Sequence, residues 1–69
     1  MNPNDPVTVH VSILPHHSTG AEKVTDGEQI VWIPSSQIIK QKMIDHDDGE
    51  CHMVIPRWLA KSKNLEVMA

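Results

Sequence analysis

Residues 29–38, Gln-Ile-Val-Trp-Ile-Pro-Ser-Ser-Gln-Ile, constrain the fold more than any other stretch. Within them Ile30 and Trp32 alternate with Val31 and Ile33, so a strand here is apolar on both faces. One face of a single-layer sheet is normally wet, and two apolar faces ask for a second cover. Either the sheet curls and the C-terminal segment covers the second face, or Trp32 lies on a binding surface.

The other segments supply partners for that strand. Residues 7–13 alternate without a break, which directs Val7, Val9, Val11 and Ile13 inward and Thr8, His10 and Ser12 outward. Leu14-Pro15 ends the strand, because proline donates no ladder hydrogen bond. A weaker strand at 21–25 leads into Asp26-Gly27, the dipeptide of a two-residue type I′ hairpin, and then into the apolar run. Pro34-Ser35-Ser36-Gln37 suits a single helical or 3₁₀ turn. Residues 39–44 and 51–55 form a second hairpin across His46-Asp47-Asp48-Gly49.

Pro56 is placed to open a helix whose basic residues lie toward its C-terminal end. Asn64 suits the left-handed position that closes it, with Leu65 folding back and Trp58 docking on the sheet. The expected fold is mainly β, or small α+β. It is a partly open SH3-like barrel of about five short strands with a short C-terminal helix. Residues 1–6 form a flexible lead-in, 7–65 the domain and 66–69 a tail.

A 69-residue domain buries only about 60% of its unfolded surface. Neither Phe nor Tyr is present and the single cysteine forms no internal disulfide, so the core is thin. That leaves room for a homodimer. No apolar run of about 18 residues offers a membrane span and no signal peptide is evident, so the expected location is the cytoplasm.

Candidate chemistry is sparse. His16, His17, His46, Cys51 and His52 lack the paired spacing of zinc ligands, and adjacent strand residues Cys51 and His52 point to opposite faces. A cysteine nucleophile needs a neighbouring base and a cleft, and a core this small leaves no pocket of about 300 Å³. Asp45, Asp47, Asp48 and Glu50 lack the ligand order of a calcium loop and suit a solvated turn. No catalytic, metal or cofactor site is expected, and the reading is non-enzymatic.

The succession from His17 to Lys23, Asp26-Gly27, Val31-Trp32-Ile33-Pro34 with Ser36 and Ile38, and residues 55–65, Ile-Pro-Arg-Trp-Leu-Ala-Lys-Ser-Lys-Asn-Leu, resembles small proteins encoded by bacteriophages and prophages. Those read VWIPKSQI, a variable loop, then IPEWLAEKKGL. The resemblance covers residues 7–65. Here Ser35 stands for a lysine, Arg57 for an acidic residue and Asn64 for glycine, which alters the family's charged surface at two places and keeps the helix stop. It implies a phage context in a bacterial host and a compact β-rich domain, and it carries no catalytic residue.

Two binding readings follow. In the first, the chain binds a host or phage protein and inhibits a nucleic-acid-handling or defence complex, as an anti-CRISPR does. Trp32 or Met43 would anchor, while Asp45, Asp47, Asp48 and Glu50 steer encounter. In the second, Lys40, Lys42, Arg57, Lys61 and Lys63 hold DNA or RNA with a tryptophan for stacking. The net charge of −3 disfavours it.

Overall fold

A computed structural model describes residues 2–68. Five strands, β1 (Pro6–Ile13), β2 (Ala21–Thr25), β3 (Ile30–Pro34), β4 (Lys40–Asp45) and β5 (Glu50–Pro56), form one antiparallel sheet in the order β3-β2-β1-β5-β4. A 3₁₀ turn at Ser35–Gln37 links β3 to β4, and helix α1 (Arg57–Ser62) follows β5. The architecture is the mainly β, partly open form expected, with β3 and β4 as its two unclosed edges.

The alternation of β1 sets the core. Val7, Val9 and Val11 lie opposite Ile55, Met53 and Cys51 of β5, and all six are buried. Val24, Ile33, Leu59, Ala60 and Leu65 complete the cluster. At about 25 cal/mol per Å² of apolar area, this interior is the main stabilising term available to the chain.

β1 pairs with β5 from Pro6 to Ser12 but with β2 only at Ser12 and Ile13, so β2 and β3 swing away from it. The tail partly fills the edge they vacate. Val67 bridges Val9, and Met68 N–H donates to Thr8 O at 2.8 Å. The N-terminal residues are also tied down, because Pro3 O and Asp5 O accept the amides of Trp58 and Arg57 at 2.8 Å each. These carbonyls satisfy two of the orphan donors that open any helix, and they stand in for a side-chain cap, which α1 lacks.

Helix closure is as the sequence indicates. Asn64 has φ of 56°, its amide donates to Lys61 O, and the Leu65 amide reaches back to Ala60 O at 2.8 Å. That pair of bonds is a Schellman motif, with Leu65 buried behind it.

Two expectations are corrected. The β2–β3 connection is a four-residue loop rather than a two-residue type I′ turn. Gly27 alone takes a positive φ, and Asp26 Oδ1 accepts the amides of Glu28 and Gln29 at 2.9 and 3.0 Å, so a side chain forms the turn. Trp58 does not dock on the sheet. Leu59 and Ala60 face the core, which turns the neighbouring indole outward to 40% exposure.

Candidate functional site

The register of β2 with β3 places Lys23 opposite Trp32, Thr25 opposite Ile30 and Ala21 opposite Pro34. These six residues share the outer face, while Val24 and Ile33 point into the core at 0% exposure. Trp32 is 44% exposed and Ile30 59% exposed. The C-terminal segment therefore does not cover this face, and Trp32 is left half-exposed.

Trp32 is supported from one side. His16, in the β1–β2 connection, meets the indole edge-on with ring centroids 5.6 Å apart, and its Nε2 lies 3.1 Å from Glu22 Oε2. The indole is thus held on a strand and braced by an imidazole that a carboxylate orients. Aromatic pairs in this geometry contribute about 0.5–1.5 kcal/mol beyond area burial.

Met43 is not a comparable anchor. It lies opposite buried Cys51 and packs, half-buried, against the core. Asp45 forms its own loop, its Oδ1 accepting the Asp47 amide at 2.9 Å and that of Asp48 at 3.4 Å. Asp47 and Asp48 are exposed. Glu50 begins β5, with Oε1 3.4 Å from His10 Nε2. The loop closes against β1, where Gly49 O accepts the Ile13 amide at 2.8 Å. From Ile13 the chain enters the connection that brings His16 to Trp32.

The basic residues divide into separate groups. Lys40 and Lys42 lie opposite Val54 and His52 on β4. Arg57 and Lys61 flank Trp58 in an open groove of about 500 Å³ that also includes Pro3 and Ser62. Lys63 lies past the helix, where its carbonyl accepts Gln29 Nε2 at 2.8 Å. Among the described residues the carboxylates that meet a basic side chain are Glu50, near His10, and Glu22, near His16, so none of these cations is paired with a carboxylate.

A second groove of about 410 Å³ lies between β1, the β2–β3 loop and the tail, lined by His10, Asp26, Glu28 and residues 65–68. The expectation of no pocket near 300 Å³ is thus corrected: space of that size exists, as open grooves between elements rather than within the core. Asp26 has its carboxyl held below the usual range, chiefly by the Glu28 amide.

Cys51 is fully buried, and burial, aided by the nearby Glu22 charge, pushes its thiol up. A thiol so placed is a poor nucleophile at neutral pH. His52 lies on the opposite face, ring edge against His10 at 5.3 Å. Among the described residues no three His, Cys, Asp or Glu side chains converge to hold a metal ion.

Sequence reasoning passed over Ile30 as a surface residue although its parity with Trp32 implied it. It also missed the His16–Glu22 brace and the Gln29 clamp on the helix end, which no local pattern signals. Comparison of the chain with protein-family models, with curated proteins and with solved structures finds no match.

Proposed function

We propose that this chain is a non-enzymatic protein-binding module of phage or prophage origin, whose contact surface is the outer face of β3. It would act on a host or phage protein, inhibiting a nucleic-acid-handling or defence complex in the manner of an anti-CRISPR. The observation that carries the reading is the exposure of Trp32 on a strand whose next residue, Ile33, is completely buried. A half-exposed indole on a fixed backbone, braced by His16, is the kind of rigid aromatic anchor that dominates binding energy. Ile30 extends the apolar patch, and the exposed carboxylates of Asp47 and Asp48 would steer encounter with a basic partner.

The test is capture from a bacterial lysate on the tagged chain, followed by mass spectrometry, with wild type and Trp32→Thr compared. Circular dichroism confirms that both are folded. One stoichiometric partner retained by the wild type and lost by the variant supports the reading. Equal retention by both, or capture of nothing, refutes it.

A second reading has an observation of its own. Trp58 stands between Arg57 and Lys61 in a groove with no carboxylate in its lining, an arrangement suited to stacking a base and pairing a phosphate. Tryptophan quenching by a single-stranded oligonucleotide at low salt would support it. With two cations engaged, log K should fall with log salt at a slope near −1.4, from about −0.7 per phosphate neutralised. Absence of quenching at low salt, or quenching unchanged in Trp58→Ala, ends it.

A further inference from the structure

The two edges of the sheet are defended differently. β4 carries Lys40, Lys42 and Asp45, and its register shifts between Met43 and Asp45, so charge and irregularity both obstruct another strand. β3 reads Ile-Val-Trp-Ile-Pro, with no charge, and is regularly paired along its length with β2.

Its free side presents hydrogen-bonding groups in a definite pattern. The Leu14 amide donates to Lys23 O at 2.8 Å, so the backbone polar groups of Lys23 point toward β1. Lys23 and its opposite residue Trp32 are therefore a non-hydrogen-bonded pair, and the N–H and C=O of Trp32 point away from β2, into the open edge. Ile30 and Pro34 share that parity. Proline at such a position is the usual edge arrangement, since its missing N–H would have faced outward. Among the described residues, none of these outward groups takes part in a hydrogen bond with other loops or turns.

We propose that β3 pairs antiparallel with β3 of a second copy of this chain, joining two five-stranded sheets into one. Only an extended strand supplies donors and acceptors at the required spacing, which makes the occupant a β-strand. The occupant is a second copy because the edge is self-complementary, and charge locates the contact at β3. With Trp32 on the two-fold axis, each Trp32 amide donates to Trp32 O of the other copy, and each Ile30 amide donates to Pro34 O of the other, giving four hydrogen bonds. Two chains of net charge −3 repel over most of their surface, and β3 is an edge strand where identical copies meet no like charge. Pairing also sets Ile30, Trp32 and Pro34 of the two copies side by side on the outer face, doubling the apolar patch. Only that last consequence rests on the protein-binding reading.

Sedimentation equilibrium of the full chain from micromolar to millimolar concentration measures the pairing, and amide exchange locates it. The expected result is a mass approaching twice the 7.8 kDa of one chain, with Trp32 and Ile30 amides protected as dimer forms. Trp32→Lys and Trp32→Glu, each alone, should weaken association by roughly tenfold or more, a loss of about 1.4 kcal/mol. An equimolar mixture of the two should restore a heterodimer. Should either variant fail to fold, Ile30→Lys puts a charge on the same edge without touching the His16 brace.

A monomer at every concentration overturns the proposal and leaves the pull-down reading standing. Dimers that persist in the charged variants, or protection of β4 amides instead, overturn it as well. So does a foreign strand protecting Trp32 and Ile30 in a chain that stays monomeric alone.

Discussion

Ile33 and Trp32 are neighbours on β3 with opposite surroundings, and replacing each tests the face assignment on which the contact-surface reading stands. Ile33 is completely buried, so Ile33→Ala removes core contacts and leaves a cavity, at a cost of about 2–5 kcal/mol. A 69-residue domain has roughly 3–10 kcal/mol in total, at about 0.05–0.15 kcal/mol per residue. The variant should lose a large share of its stability. Trp32 has 44% of its surface in water, and its structural contribution is the covered half plus the edge contact with His16. Trp32→Thr, which keeps a strand-compatible side chain, should cost about 1–2 kcal/mol, well below a full tryptophan truncation. Urea unfolding followed by far-UV circular dichroism measures both without relying on the indole signal. At a slope of about 1 kcal/mol per molar urea, the midpoint should move by roughly 2 M or more for Ile33→Ala and by about 1–2 M for Trp32→Thr. Equal losses, or a larger loss for Trp32→Thr, would make Trp32 a core residue and remove the basis for a contact surface there.

Three further outcomes follow from the same geometry. Cys51 should resist thiol reagents in the native chain and react at the rate of opening once urea is added, as the absorbance of the thiolate released from an aromatic disulfide reagent would record; rapid native labelling would contradict its burial. Asp26 has its carboxyl lowered by the Glu28 amide, so its stabilising effect is fully present above the unfolded pKa near 3.9 and is lost as pH falls through the lower folded value. The stability gap between wild type and Asp26→Ala should thus be widest near neutral pH and narrow in acid, and a gap that widens in acid would reverse the assignment. Gly49 has φ of 72°, and a Cβ there would collide with the backbone oxygen of Ile13, whereas Gly27, with φ of 101°, has open space around it. Gly49→Ala should therefore lower the thermal midpoint more than Gly27→Ala, since both carry the left-handed penalty of about 1–2 kcal/mol and only the first adds a backbone clash.

Local pattern was enough where a side chain's fate depends on its own strand or turn. The alternation of residues 7–13 sorted Val7, Val9 and Val11 from His10 and Ser12, and parity grouped Ile30 with Trp32 on one face of β3, leaving open whether that face is wet. Asn64 carried its helix-closing role because the left-handed conformation is a property of the residue and its place after a basic turn. Legibility failed where a distant segment decides the outcome. Trp58 and Leu59 both read as candidates for the core, and a six-residue helix can bury only one side, here chosen by how Leu65 folds back and where Pro3 and Asp5 hold the first turn. His16 read as one polar residue of a loop, and its place under Trp32 comes from the path of the β1–β2 connection.

The placing of the two tryptophans is the strongest internal argument that this surface has work beyond folding. The chain has no Phe and no Tyr, and its buried set is made of Val, Ile, Met, Leu, Ala and Cys. A domain this small gains most from burying its largest apolar side chains, each worth more than any aliphatic residue in the cluster. Both indoles instead stand 40% or more exposed, one on the uncharged edge strand and one between two cations. Departures from what stability alone would favour are expected at functional positions. Two such departures, in the only two aromatic residues other than histidine, on separate surfaces of different charge, separate an uncharged strand edge suited to another protein strand from a cationic groove suited to an anion. Their single variants, Trp32→Thr and Trp58→Ala, should therefore affect different ligands and leave one another's binding unchanged.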